Sequence, residues 1–251
     1  MGDRIYRTEA LILRRSDAGE ADRVLLLATP GGKRRVVARG VRKTTSKLAG
    51  HLELFTRVGL LLAIGRTFDI ITQSEIRDSH ATLRAELPRL SCAYYAAELY
   101  DRFSQEDDEH PEIYALLAQT FTALDRSATP DLVLRWYELR LLHLTGYRPQ
   151  LHHCIVCQEV LTEAASRFSP TLGGVLCPEH ESADRAALTM SGQAFRLLRY
   201  LQGQPLAVVE VLRLSPAVRS EAEGLLRVYL RCLLERDLRS VAFLEEVLRI
   251  E

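Results

Sequence analysis

The sequence lacks any long hydrophobic run. A membrane-spanning helix needs roughly 18 or more apolar residues in succession. The apolar stretch 58–64 is interrupted by Gly59 and lies between Arg57 and Arg66. We also expect no export signal, because the N-terminal MGDRIYRTEA carries charges where the apolar core of a signal peptide would lie. We therefore expect a cytoplasmic protein.

Familiar catalytic motifs are missing as well. Gly31-Gly32-Lys33 lacks the earlier glycine and the following Ser or Thr of a P-loop, and neither G-x-S-x-G nor H-E-x-x-H occurs. The acidic stretch 105–110 could hold a divalent ion as nuclease sites do, but adjacent residues of one loop rarely converge on an ion. We predict an exposed loop between helices and a non-catalytic protein, with a metal-dependent nuclease as the less favoured alternative.

The chain also lacks net charge, since 33 Lys and Arg balance 33 Asp and Glu. The balance conceals an asymmetry. Residues 1–80 contain 15 basic and 9 acidic side chains, a net charge of +6, and the rest of the chain has a net charge of −6. This split predicts a basic module attached to a body with another role.

Residues 1–80 have the pattern of β structure. Five short runs rich in Val, Ile, Leu and Thr are separated by turn-forming residues. The runs are Thr8–Leu13, Val24–Leu27, Arg35–Ala38, Glu53–Leu62 and Phe68–Glu75. Because an open sheet of this size would expose its edges, we predict a small closed barrel. An OB-fold is the leading candidate and an SH3-like barrel is the alternative.

Beyond residue 80 the apolar residues recur at helical spacing, which predicts a helical domain over 81–251. Pro88 can mark a helix start, Asp131 can cap another helix that Gly146 ends, and Ser191 can cap a later one. The last helix is expected over 241–250. Between Gly146 and Ala187 the helical periodicity is lost, which predicts an inserted module of about residues 147–187.

This module contains three of the five cysteines. Cys154 and Cys157 form a C-x2-C pair, and Cys177 with His180 forms C-x2-H after 19 intervening residues. Each short gap makes a tight turn that directs two side chains at one ion, so the spacing predicts a closed, structural Zn²⁺ site. A redox pair or free thiols are the alternatives, and His152 or His153 could replace His180. We expect Cys92 and Cys232 to be core thiols.

The segment 33–47 contains seven cations and no acid. They are Lys33, Arg34, Arg35, Arg39, Arg42, Lys43 and Lys47. On a strand, Arg35, Val37 and Arg39 would share the solvent face. We predict that these cations bind nucleic-acid phosphates, with a solvated hairpin or a site for an acidic protein as alternatives. Only Tyr6, Phe55 and Phe68 could stack on bases here, so sequence specificity is not expected.

In the order of its motifs, the chain resembles the RecO family of bacterial recombination mediators. The resemblance rests on ALILRRSDAGEADRVLLLAT, GVRK, TGYRPQL, CIVC, FSP and GGVLC, which together cover nearly the whole chain. It implies an N-terminal OB-fold, a helical domain and a zinc-binding module in which His180 stands where a fourth cysteine is common.

The resemblance also implies a function and partners. Members of the family bind single- and double-stranded DNA and anneal complementary strands. With RecR, and in some bacteria RecF, they help load RecA onto strands coated by single-strand-binding protein. We therefore expect a mediator associated with the nucleoid in the cytoplasm.

Overall fold

The computed structural model describes residues 5–106, 108–162 and 167–248. The chain forms two compact units. The first contains the chain up to Arg126 and again from Ala242, and the second is Ser127–Val241. Within the described residues, no helix combines the length and the apolar composition that crossing a membrane requires.

Five strands form a closed barrel in the first unit, which confirms the predicted barrel. They are β1 (Ile5–Ala18), β2 (Asp22–Thr29), β3 (Gly32–Ala38), β4 (Arg57–Ala63) and β5 (Asp69–Asp78). The order is β1-β2-β3-β5-β4, with β4 paired back to β1. Most pairs are antiparallel; β3 and β5 are parallel and meet only through Val36–Asp69 and Val37–Ile70. The β1–β2 and β4–β5 pairings each contain register shifts, which help a small sheet to curve.

Alternation along the strands fills the barrel. On β4 the buried positions Val58, Leu60 and Leu62 alternate with half-buried ones, as a two-residue period requires. They join a core that includes Ile12, Leu25, Leu27, Val36 and Ala38. The burial of this apolar surface stabilises the barrel.

Three helices complete this part of the first unit. They are α1 (Ala81–Ala85), α2 (Leu87–Phe103) and α3 (Pro111–Arg126), and Pro88 lies in the first turn of α2 as predicted. Phe55 is fully buried and contacts Tyr94 and Phe121 edge-to-face, with ring centroids 4.9 and 5.4 Å away. The compact unit thus includes helices assigned from sequence to a second domain, and a domain boundary after residue 80 stays a prediction.

The second unit is built from α4 (Pro130–Leu144), α5 (Gly192–Gly203), α6 (Leu206–Val209) and α7 (Pro216–Leu234). Ser191 caps α5 as predicted, because its Oγ accepts a hydrogen bond from the Ala194 amide. The predicted cap at Asp131 is wrong, since Thr129 precedes α4. The last helix, α8 (Arg239–Leu248), begins near its predicted start, and Ile250 lies outside the described residues.

A small sheet occupies the segment between α4 and α5. Its strands are β6 (Arg167–Ser169), β7 (Gly174–Leu176) and β8 (Leu188–Thr189), in the order β7-β6-β8. A 3-10 helix, Pro178–Ala183, follows β7. This irregular segment interrupts the helical part of the chain, as expected for an inserted module.

Candidate metal centre and nucleic-acid interface

The first pair of candidate ligands lies in a tight turn. Cys154 accepts a backbone hydrogen bond from Gln158 at 2.9 Å and donates one to Glu159 at 2.8 Å. Gln158 adopts a positive φ of 63°, which closes the turn. Cys154 and Cys157 are thereby brought to the same side of the loop.

The second pair follows β7. Cys177 lies between β7 and the 3-10 helix, and the amide of His180 on that helix donates to the Cys177 carbonyl at 3.0 Å. Ile155 donates to the Val175 carbonyl at 3.0 Å, so the backbone connects the two pairs directly. Gly174 permits this approach, because a Cβ there would lie 2.9 Å from Gln150 Cβ.

The four ligand atoms lie within 4.8 Å of one another. Sγ of Cys157 is 3.9 Å from Sγ of Cys177, which in turn is 3.1 Å from Nδ1 of His180. Two sulfurs bound to one tetrahedral zinc at about 2.3 Å would be about 3.8 Å apart. The donor set and its spacing fit, so this group can hold one metal ion.

Backbone amides prepare one thiol for a metal. Burial raises the pKa of Cys154, but hydrogen bonds from the amides of Cys157, Cys177 and Val156 outweigh it and bring the pKa to about 6. The pKa of Cys177 is raised, first by burial and then by hydrogen bonds with Cys154 and Cys157. Cys154 is therefore largely a thiolate at neutral pH, the form that coordinates a metal.

The alternative histidines lie outside this group. His152 Nδ1 accepts a hydrogen bond from Arg199 Nη2 at 3.0 Å. Burial first, and then Arg199 and Arg148, lower the pKa of His152. His153 pairs through its backbone with Val160. Within the described residues, His180 is the histidine that completes the Cys154, Cys157 and Cys177 cluster.

The other cysteines differ from each other. Cys92 is buried in α2, as expected. Cys232 is exposed on α7, so its prediction as a core thiol is wrong.

The basic segment divides into paired and unpaired cations. On β3, Lys33 Nζ is 2.8 Å from Asp101 Oδ1, and Arg35 Nε is 3.0 Å from Glu106 Oε1. The Arg34 guanidinium lies 5.8 Å from the centre of the Tyr6 ring. These three cations already have partners within the first unit.

The loop that follows β3 carries unpaired cations. Arg39, Lys43 and Lys47 are exposed, and among the described residues none of their side chains has a hydrogen-bond or ion-pair partner. Arg42 contacts the Gly19 carbonyl at 3.1 Å and Asp17 at 3.5 Å. We call Arg39, Lys43 and Lys47 the loop cations.

The residues predicted to share the solvent face of β3 do lie on its outer side. Arg35 and Arg39 are exposed and Val37 is half-buried, whereas Val36 and Ala38 are fully buried in the barrel core. Of the three aromatic residues, Phe55 is buried, and Tyr6 donates a hydrogen bond to Asp69. Phe68 is 37% exposed, which leaves little aromatic surface for bases.

The acidic stretch has contacts of its own. Glu106 pairs with Arg35, and Asp108 Oδ2 lies 3.1 Å from His110 Nε2. Asp107 lies outside the described residues. Among the residues that are described, these acids form no group of metal-ligating atoms.

Two family models together cover most of the chain. The model described as "Recombination protein O N terminal" matches residues 1–80, and "Recombination protein O C terminal" matches residues 84–242. The chain belongs to the RecO family.

Relatives of the RecO family match along nearly their whole length, and each is named "DNA repair protein RecO". The Roseiflexus sp. protein is 58% identical over 247 residues, which are 98% of this chain and 87% of the relative. The Desulforudis audaxviator protein is 38% identical, over 96% of this chain and 97% of the relative. The protein from Dehalococcoides mccartyi strain 195 is 35% identical, over 97% of this chain and 96% of the relative.

This RecO-family chain has a second group of cations that the sequence analysis missed. Arg199 on α5 contacts His152, and Arg148 Nη2 donates to Gln202 Oε1 at 3.2 Å. The group is scattered along a part of the sequence with net negative charge, so neither a run of cations nor a charge sum indicates it.

Proposed function

We propose that this chain is a DNA-binding recombination mediator whose barrel contacts the phosphate backbone of single- and double-stranded DNA. One observation carries the proposal: in a chain of a DNA repair family, the loop cations are exposed and none has an acidic partner among the described residues. A phosphate backbone supplies the anions that such a loop lacks. Arg42 lies on the same loop and adds to its charge, whereas Lys33 and Arg35 on the adjoining strand are already paired with Asp101 and Glu106.

Phosphate contact accounts for strand annealing without covalent chemistry. Cations that neutralise the phosphates of two strands lower the repulsion between them, and base pairing then supplies the driving force. The protein therefore acts as a binding factor and not as an enzyme. Because little aromatic surface is available, affinity depends on salt and not on base sequence.

We propose a structural role for the metal group. Cys154, Cys157, Cys177 and His180 would bind one Zn²⁺, which three sulfurs and one nitrogen suit. Four protein ligands leave no position for a reacting water, so the ion stabilises the segment 147–187 and does not activate a substrate.

We also propose the family's division of labour and partners for this chain. Residues 1–80 act as the DNA-binding domain, and residues 81–251 form the helical domain with its zinc module. The partners are RecR, single-strand-binding protein and, functionally, RecA, with RecF as a further one, in the cytoplasm at the nucleoid. Family membership supports these proposals.

The test removes the loop cations in R39Q/K43Q/K47Q and measures affinity for single- and double-stranded oligonucleotides across a series of salt concentrations. For single strands, each lost phosphate contact should reduce the slope of log K against log salt by about 0.7 and the affinity at about 0.1 M salt by about fivefold. The triple variant should therefore lose about 100-fold in affinity.

The control R185Q/R213Q/R236Q removes the same charge from exposed arginines of the second unit. It should bind like the wild type. If the loop variant also binds like the wild type, the DNA surface lies elsewhere. If the wild-type protein shows no salt-sensitive DNA binding, the basic loop serves an acidic protein partner instead.

A further inference from the structure

Arginines gather around the C-terminal half of α5. Arg199 lies on the helix itself, Arg148 precedes the metal segment, and Arg140 projects from α4. Their partners are His152 Nδ1, Gln202 Oε1 and the Gln204 carbonyl, at 3.0, 3.2 and 3.0 Å. These partners carry no formal negative charge.

Other arginines of this unit are neutralised. Arg135 pairs with Glu138, Arg219 with Asp131 and Arg227 with Glu223. Among the residues that the structure describes, no carboxylate pairs with Arg148 or Arg199. The two guanidinium groups therefore keep their charge available for an external anion.

The two side chains are also held in place. Gln202 is 5% exposed, and its amide both accepts from Arg148 and donates to the Pro149 carbonyl at 2.9 Å. Arg199 lies 5.1 Å above the ring of the buried Phe195. Because a guanidinium has five N–H donors, most of those on each arginine stay free for a ligand.

A capping role explains only one of the three arginines. The guanidinium of Arg140 donates to a carbonyl at the end of α5, where cations complement the helix dipole. Arg148 and Arg199 instead contact side chains. Their placement is that of a surface site.

We propose that Arg148 and Arg199 form a second phosphate-binding site, which takes the backbone of a nucleic-acid strand independently of the loop cations. The proposal rests on the proposed DNA binding and adds a second contact surface to it. Guanidinium groups pair with phosphate through two parallel hydrogen bonds, which suits donors held in fixed positions.

A nucleic acid fits this surface better than an acidic peptide does. A peptide gains affinity from apolar pockets as well as from charge. One groove of this unit combines the apolar side chains of Leu197, Tyr200 and Val218 with the arginines Arg196 and Arg213, the pairing that an acidic peptide would need. Arg148 and Arg199 do not line it, and Arg199 makes its contacts toward His152 and Phe195.

Two separate phosphate sites would allow one molecule to hold two strands. The loop cations can bind one strand, and Arg148 and Arg199 the other, so that each strand's charge is screened by its own site.

The experiment compares R148Q/R199Q with R213Q/R236Q, which removes two exposed arginines of the same unit. Single-stranded DNA affinity is measured across salt concentrations, in the wild-type background and in R39Q/K43Q/K47Q. R148Q/R199Q should reduce the salt slope by about 1.4 and the affinity at about 0.1 M salt by about 25-fold, whereas the control should change neither. R148K/R199K should retain most of the slope.

A second readout follows two non-complementary strands with different fluorophores. The wild type should bind both at once, and R148Q/R199Q only one. Circular dichroism and metal content establish folding; if the double variant is unfolded, R148Q alone should reduce the slope by about 0.7.

An unchanged slope in the folded variant, or an equal loss in the control, overturns the second site. If R148Q/R199Q loses binding to polyglutamate but binds DNA as the wild type does, the second phosphate site is also overturned, and the ligand of Arg148 and Arg199 is an acidic protein. If R39Q/K43Q/K47Q binds DNA normally and R148Q/R199Q does not, the proposed barrel surface is refuted, and the second phosphate site is supported.

Discussion

Glu138 is a fully buried carboxylate in the second unit. Its Oε1 lies 3.0 Å from Arg135 Nη2, and Arg135 is itself 4% exposed. Both residues belong to α4, three positions apart, on the side that packs into the unit. Taking two charges out of water costs free energy that their attraction offsets only while both remain.

We predict that Glu138→Ala lowers the free energy of unfolding by about 3 kcal/mol, because Arg135 would keep a buried charge with the more distant Glu223 carboxylate, 3.9 Å away, in place of this one. Replacing both residues, in R135M/E138L, should cost much less or even stabilise the unit. Urea unfolding followed by circular dichroism measures the difference. Asp131→Ala is the control: it breaks the more exposed pair with Arg219, 3.2 Å long, and should cost at most about 1 kcal/mol. A loss of that size for Glu138→Ala would contradict the argument.

Single residues also show where local pattern is insufficient. Asp131 has the chemistry of a cap, but Pro130 fixes the first helical position and disfavours a helical Thr129, so the cap of α4 lies two residues earlier, at Thr129. Cys232 has apolar neighbours in sequence, yet it is exposed. The residues next to Cys232 in sequence do not show which face of α7 is covered by other elements, and that face determines which residues are buried.

At the scale of elements, short-range pattern predicted most of the fold. Alternating apolar residues gave the barrel strands, and two tight turns brought Cys154, Cys157, Cys177 and His180 together. The ion pairs of β3 could not be predicted in this way. Lys33 meets Asp101, which is 68 positions away, and Arg35 meets Glu106 on the segment after α2. Only the tertiary structure brings these acids to the strand, and they distinguish the paired cations from the loop cations.

The metal turns lead to a prediction about composition and pH. The purified protein should contain one zinc per chain by elemental analysis, and Cys154→Ser or Cys177→Ser should lose it. His180→Cys should retain zinc, and His152→Gln should bind it normally because His152 contacts Arg199 instead.

The pH dependence has a definite sign. The pKa of Cys154, lowered to about 6, keeps its thiolate above that pH and lets protons compete with the metal below it. Zinc should therefore be retained at neutral pH and released as the pH falls, because protons then compete with the metal for its ligand atoms. A site in which retention increased as the pH fell would not be a thiolate site.

At the scale of the whole molecule, a net charge of zero hides two basic surfaces. The charge split at residue 80 predicted the loop cations. It could not predict Arg148 and Arg199, because they lie in a part of the chain with excess acid and come together only through the fold. The net charge of the chain does not indicate either surface, because contact with phosphate depends on the charged side chains close to it.

The metal segment and the second basic surface share a backbone, which permits a test of the whole arrangement. Gln150, two residues after Arg148, exchanges hydrogen bonds of 2.9 Å with Gly173 and Val175, next to Cys177. Chelating the zinc should loosen this segment and displace Arg148. The slope of log K against log salt for single-stranded DNA should then fall by up to about 1.4. The contribution of the three loop cations to that slope, about 2, should remain.

Chelation of R148Q/R199Q should change the slope no further, because its second site is already gone. A slope that collapses entirely on chelation would show that the metal also supports the barrel surface. A slope that does not change in the wild type would separate Arg148 and Arg199 from the metal segment. The expected result is a partial loss of the salt slope. It would show that DNA binding by Arg148 and Arg199 depends on the metal, whereas DNA binding by the loop cations does not.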